Sequence, residues 1–197
     1  MGVSGRSATH LDPRDPFVID VRELGRRAGA MQELHRDAPT PQDWGLELVR
    51  VPAGATVSLE LRLESVMDGV LVTASINAPV DAECGRCLDP VAATVDTDVQ
   101  ELFAYDPDPE DEEALSLDGD LIDLGPVVRD ALVLSLPLNP LCDPDCQGLC
   151  VDCGARLEDV GPDHQHEQLD PRWAALAGLA EPGSAPRDAD PGHTGSG

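Results

Sequence analysis

From Thr56 to Val66 the chain reads TVSLELRLESV, and apolar Val57, Leu59, Leu61 and Leu63 alternate with Ser58, Glu60, Arg62 and Glu64. A period of two sends neighbouring side chains to opposite faces, so this run predicts an antiparallel strand with one buried face. Met67-Asp68-Gly69 reads as the turn that follows, and Val70, Val72, Ala74 and Ile76 resume the alternation. A third run, Val91 to Phe103, alternates through Ala93, Val95, Thr97 and Val99. Together the three predict a meander.

Helical spacing appears in three other places. After a short strand-like run, Phe17 to Ile19, Asp20 can cap a helix with Glu23 at the capping-box position, and Val21, Leu24 and Ala28 recur on one side. This predicts an N-terminal helix behind the sheet, with Arg22, Arg26 and Arg27 on its other, solvated side. In DLGPVVRDALVLSLP, Asp123 is the expected cap and Pro126 fits the first turn. Val127, Val128, Ala131 and Leu132 make its face, and Pro137 ends it. Ser135 interrupts that face, so Val133 to Leu136 (VLSL) also reads as a strand. Asp170, Pro171, Trp173, Leu176 and Ala177 predict a short closing helix over 170–180, with Trp173 as a packing anchor. Residues 105–123 carry nine acids and no base, which predicts a solvated loop or disordered insert. The Pro- and Gly-rich ends, 1–16 and 181–197, predict disordered tails.

Composition narrows the function. A chain of 197 residues can bury a real core, so its six cysteines are not needed to rescue a small fold. The formal charge is -25, the pI about 4.1, and all thirteen basic residues are arginine. Without lysine there is no Schiff-base chemistry and no P-loop lysine. The acid excess argues against broad contact with a phosphate backbone and favours a basic partner such as a ribosomal protein. The bland reading is that the acidity only keeps the protein in solution. The first sixteen residues hold no apolar signal core, and no run approaches a membrane span. A cytoplasmic setting is therefore expected, where stable disulfides are rare.

The cysteines carry the most specific signal. They form three pairs, Cys84-x2-Cys87, Cys142-x3-Cys146 and Cys150-x2-Cys153, and four of the six lie between Cys142 and Cys153. Two residues between thiolates let one tight turn aim both sulfurs at a tetrahedral ion. Gly148 precedes the third pair and Gly154 follows it, supplying the positive φ that such knuckles need. Further on, His164 and His166 point the same way in extended chain. Cys150, Cys153, His164 and His166 thus have the shape of a zinc ribbon. Cys142 and Cys146 either complete an all-thiolate site with Cys150 and Cys153 or join Cys84 and Cys87 in a second one. Structural zinc is favoured. A thioredoxin-type motif wants C-x-x-C at the start of a helix, whereas CGRC sits between strands, and disulfides need an oxidising compartment. A catalytic zinc needs an open position and a general base, and no HExxH or HxE…PCxxC pattern is present.

Taken in order, CGRCLDPV (Cys84 to Val91), the acidic stretch, LPLNPLC (Leu136 to Cys142), CQGLCVDCGARL (Cys146 to Leu157) and DPRWAAL (Asp170 to Leu176) resemble the bacterial YceD-like proteins. The resemblance spans roughly Phe17 to Leu179. That family is linked to accumulation of large-subunit (23S) ribosomal RNA, and its genes commonly neighbour that of a small zinc-ribbon ribosomal protein. Many relatives carry Cys-x-Cys where His164-Gln165-His166 stands here, an exchange that keeps ligand capacity. Some relatives lack the C-terminal cysteines, which implies that metal stabilises the protein and is not the core of its activity.

The expected architecture is one α+β domain over 17–180: an antiparallel sheet with flanking helices and a C-terminal zinc module at about 141–167. The expected function is a non-enzymatic factor for 23S rRNA accumulation or large-subunit biogenesis. It would bind rRNA, a large-subunit precursor or a basic ribosomal protein. Arg22, Arg26, Arg27 and Arg86 are the candidates for RNA contact. A zinc- or thiol-redox-responsive regulator is the alternative. No nucleophile motif, P-loop or paired acid/base cluster points to an enzyme, and five aromatic residues offer no base-stacking platform.

Overall fold

The computed structural model describes residues 10–108, 110–111, 113–161 and 163–166. The strands are β1 (Val18–Asp20), β2 (Met31–Pro39), β3 (Trp44–Leu46), β4 (Val49–Val51), β5 (Thr56–Ser65), β6 (Gly69–Glu83), β7 (Pro90–Ala104) and β8 (Leu121–Asp123). The helices are α1 (Gly125–Ser135) and the single turn α2 (Leu157–Val160).

The alternating runs become the centre of one antiparallel sheet. Strand β6 pairs with β7 along its whole length, from Gly69↔Ala104 to Glu83↔Pro90. Its other edge is shared by β5, which pairs with Val70 to Asn77, and then by β4, which pairs with Asp81 and Ala82. Strand β2 flanks β5, and β3 flanks β4. The Cys84 amide donates to the Asp89 carbonyl and the Val66 amide to the Gly69 carbonyl. Even-numbered groups of β6 therefore face β7, and odd-numbered groups face β5 and β4. Pro79, which has no N–H to give, falls in the gap between β5 and β4.

The apolar set of β6 (Val70, Val72, Ala74, Ile76, Ala78, Val80, Ala82) and that of β5 (Val57, Leu59, Leu61, Leu63) are buried on one face. Helix α1 lays Val128 and Leu132 on this core, with Val127 and Ala131 half-buried beside them. Residues 133–135 continue the helix and do not form a strand. Asp123 sits one place before the N-cap, where its carboxylate accepts the Gly125 amide at 2.8 Å.

Two expectations are corrected. Residues 21–28 after β1 form turns, not a helix. The Asp20 carboxylate accepts the amide of Arg22, two residues on, and Gly25 and Gly29 take positive φ. Val21 and Leu24 are buried nonetheless, while Ala28 is exposed. Two apolar anchors three residues apart serve a tight loop as well as a helix. The acidic stretch 105–123 is not wholly a loop. Its end is β8, whose Leu121 and Ile122 are buried and which pairs with β1. Leu115 and Leu117 bond both backbone groups of Ala104.

The fold is thus mostly antiparallel β, with a single substantial helix among the described residues, and the balanced α+β expectation holds only in part. Strands β2, β3 and β4 were not evident in the sequence. In β2 only Ala38 is buried, with Gln32 and Leu34 half-buried, so this edge strand carries no apolar alternation strong enough to read from its residues. Of the predicted N-terminal tail, residues 13–16 make turns, and Asp118 accepts from His10 and from the Leu11 amide. The closing helix over 170–180 and the C-terminal tail lie outside the described residues. No helix among the described residues is long and apolar enough to cross a membrane.

Candidate metal centres

The β6–β7 hairpin ends in the CGRC sequence. In this tip the Cys84 amide donates to the Asp89 carbonyl at 2.8 Å and the Leu88 amide to the Cys84 carbonyl at 2.9 Å. Leu88 has φ +62, the left-handed conformation that a side chain disfavours. The second C-x2-C repeats this pattern. The Cys150 amide donates to the Ala155 carbonyl at 2.7 Å and the Gly154 amide to the Cys150 carbonyl at 2.8 Å, with Gly154 at φ +70. Backbone amides of Arg86 and Cys87 point at the Cys84 sulfur, and those of Asp152 and Cys153 at the Cys150 sulfur. The two turns are the same knuckle built twice, and each aims N–H dipoles at a thiolate.

Helix α1 delivers the remaining ligands of the first centre. The chain after it returns to the hairpin tip, where the Gly85 amide donates to the Pro140 carbonyl at 2.8 Å. This places Cys142 Sγ 3.5 Å from Cys87 Sγ and Cys146 Sγ 3.8 Å from Cys84 Sγ. The ligand atoms of Cys84, Cys87, Cys142 and Cys146 all lie within 4.8 Å of one another, and those of Cys150, Cys153, His164 and His166 form a second such group. In the latter, Cys153 Sγ is 3.4 Å from His164 Nε2, which is 2.9 Å from His166 Nε2. A tetrahedral ion held by thiolates at about 2.3 Å has S···S edges of about 3.8 Å. Both groups can therefore hold a metal ion. Of the two partnerships open to Cys142 and Cys146, the fold selects Cys84 and Cys87.

The first centre is electrostatically unsettled without a cation. The Cys142 and Cys87 amides stabilise the Cys84 thiolate and, despite burial, bring its pKa down from 9.0 to about 6. For Cys87 the Asp89 amide pulls the same way, but burial and the neighbouring thiols prevail and push it up to about 12. Cys87 draws Cys142 down, yet Cys146 and burial outweigh it and the net shift is upward. In the second centre the Cys153 and Asp152 amides lower Cys150. Four thiols packed this closely cannot all ionise alone, and a bound cation removes the conflict.

Two residues not evident as functional in the sequence, Asp89 and Arg156, join the centres. Arg156 makes a two-pronged ion pair with Asp89, one prong at 2.7 Å, which ties the second knuckle's loop to the first. This pair holds the Asp89 carboxyl below its ordinary range. Gly148, at φ +82, lies where the cysteine-rich segment crosses Arg86, and the next amide, Leu149, donates to the Arg86 carbonyl at 3.1 Å. Only the pairing of Asp89 with Arg156 across 67 residues was beyond any sequence signal.

The family model described as "Large ribosomal RNA subunit accumulation protein YceD" matches residues 72–180, which hold most of β6, all of β7 and α1, and all eight candidate ligands. The chain belongs to the YceD family. A Mycobacterium tuberculosis relative is 46% identical over 174 residues, covering 86% of this chain and 84% of its own. YlbN of Bacillus subtilis is 28% identical over 175 residues, covering 86% and 91%. An Arabidopsis thaliana protein named "Large ribosomal RNA subunit accumulation protein YCED homolog 1, chloroplastic" is 33% identical over 60 residues, covering 30% of this chain and 19% of its own. No solved structure matches.

The arginines singled out for RNA contact in this YceD-family chain do not form one patch. Arg22 pairs with Asp120 at 3.4 Å and approaches Asp20 at 3.9 Å. Arg26 lies over the Tyr105 ring, 4.7 Å from its centroid, and Arg27 is exposed on the same turn. Arg86 donates to the carbonyls of Cys146 at 2.7 Å and Pro144 at 3.2 Å, so it fastens the first centre together.

Proposed function

We propose that this protein is a non-enzymatic, zinc-stabilised factor for accumulation of large-subunit ribosomal RNA, acting in the cytoplasm by binding rRNA, a large-subunit precursor or a basic ribosomal protein. The observation that carries the reading is the family match over the hairpin and both centres, together with the name of the Arabidopsis relative. Zinc suits the donors: four thiolates in one centre, two thiolates and two imidazoles in the other, each set of four lying within 4.8 Å of one another, the donor number and type of a closed structural site. In this reading zinc locks the hairpin tip to the segment after α1 and so presents one rigid end of the sheet.

The test is to deplete the protein in a bacterium that carries it and measure the 23S to 16S rRNA ratio. Crosslinked pulldown then asks what is bound. A fall in the ratio that a full-length copy restores supports the reading, and an unchanged ratio with no ribosomal material recovered overturns it. Replacing Arg22, Arg26 and Arg27 with Gln tests direct RNA binding, because a true contact patch flattens the salt dependence when removed.

A second reading rests on the sulfur pairs at 3.5 and 3.8 Å. Thiols this close are placed for a redox-responsive regulator. Zinc-loaded protein whose thiols resist mild oxidant argues against that reading, since a closed site is inert.

A further inference from the structure

Among the described residues the far edge of β7 is open. Even-numbered residues of β7 direct their N–H and C=O groups away from β6, as Ala104 shows by bonding Leu115 and Leu117 on that side. The outward groups of Ala92, Thr94, Asp96, Asp98, Gln100 and Leu102 meet no hydrogen-bonding partner among the described residues. Strand β7 has 15 residues, well above the ordinary length of about 5 or 6. Its interior has no proline between Val91 and Ala104 and no lysine, and it is paired with β6 without interruption, so its guards against a second copy are the charges of Asp96, Asp98 and Glu101.

Chemistry selects what such an edge accepts. The side chains of the outward-bonding residues lie on the sheet face opposite α1. There Asp96 accepts from Asn77 at 2.7 Å and Asp98 from Ser75 at 2.6 Å. Neighbouring strands add Glu33, Asp37, Glu60 and Glu64 to the same face, against Arg62 and His35. A second copy of the chain is a poor occupant. An antiparallel self-pair using the whole edge sets Asp96 opposite Asp98, and like charges directly opposed across strands are destabilising. On the other face Val95 is buried in the core, Val99 is half-buried and apolar, and Glu101 is exposed. Leu134, beside the Ser135 that hydrogen-bonds Thr97, is 86% exposed.

We infer that the β7 edge is a docking site for an extended polypeptide segment that alternates basic and apolar residues, added as a further antiparallel strand. Basic side chains of the added strand meet Asp96 and Asp98, while the intervening apolar ones meet Val99 and Leu134. The inference rests on the proposed function only in taking a basic polypeptide as partner.

The probe is an acetylated 12-residue peptide of alternating lysine and valine. In the inferred register the lysine amides bond β7 and the valine amides point away. Binding should protect the 92–102 amides from hydrogen exchange at alternate positions. It should fall by at least about tenfold when the lysine amides are N-methylated, and much less when the valine amides are. A glutamate-for-lysine peptide should not bind. Asp96→Asn with Asp98→Asn should weaken binding and flatten its salt dependence, and both Asn side chains can still accept from Asn77 and Ser75. Thr94→Pro removes one outward amide and leaves the β6 pairing intact, which circular dichroism checks. Equal binding of the two methylated peptides, binding without protection at 92–102, or self-association through β7 would overturn the inference. These outcomes are read on purified protein, separately from the rRNA ratio that tests the proposed function.

Discussion

Gly148→Ala separates the geometry of the metal module from its ligand list. Gly148 is no ligand, but it sits at φ +82, and an added Cβ would lie 2.9 Å from the Arg86 carbonyl oxygen and 3.1 Å from the Arg86 Cβ. The left-handed conformation costs a non-glycine residue about 1–2 kcal/mol. Forcing the Arg86 backbone aside adds about 1–3 kcal/mol, as overpacking does elsewhere. The lower entropy of alanine in the unfolded chain returns about 0.5–1 kcal/mol. The net loss is about 2–3 kcal/mol. It falls on the crossing of the two knuckles, where metal binding and local folding are one process. Metal affinity should therefore drop by about 30- to 150-fold, at 1.4 kcal/mol per decade. Gly154→Ala is the internal control. Its φ is +70 but nothing lies within 4 Å of the added Cβ, so only strain of about 1 kcal/mol remains and the loss should be about fivefold. Competition titration against a chromophoric chelator measures both, and hydrogen exchange over 141–166 follows the folding. If Gly148→Ala binds metal as tightly as Gly154→Ala, the crossing of Gly148 over Arg86 does not govern the module.

Cys142→Ser should remove one metal equivalent and leave the second, and Cys150→Ser should do the converse; elemental analysis of each variant reads this, and loss of the same equivalent from both would refute the division of ligands. Arg156 depresses the Asp89 carboxyl below its ordinary 3.8, so that carboxylate's contribution is fully present above about pH 4 and is lost as pH falls through the lower folded value. Melting of the metal-free protein between pH 2 and 6 should show this slope, and Asp89→Asn should remove it. Leu132→Ala, at a fully buried position where α1 meets the sheet, should cost about 2–5 kcal/mol in denaturant unfolding while leaving metal stoichiometry unchanged.

The sequence by itself settled what depends on local periodicity and local chemistry. Strands β5, β6 and β7 and the turn at Met67 to Gly69 were legible, because one face of each strand pair is buried and burial writes a period of two. Helix α1 was legible from its spacing and from Pro126 in its first turn. All eight candidate ligands were legible as residue types in closely spaced pairs, two of them at knuckle spacing. What stayed hidden depends on contacts across long sequence separations. Strand β2 lies at the sheet edge with one buried residue, and β8 is a three-residue strand inside an acidic run, so neither carries a pattern of its own. The turns at 21–28 share their apolar spacing with a helix, and only Gly25, Gly29 and the packing of Val21 and Leu24 decide between them. Cys142 and Cys146 could pair with either knuckle on spacing alone. Helix α1 runs back over the sheet and delivers them to the tip of the β6–β7 hairpin, about 60 residues away in the chain. Spacing fixes which thiols can share a turn. The path of the chain between turns decides which turns share an ion, and that path is set by the burial of Val128 and Leu132.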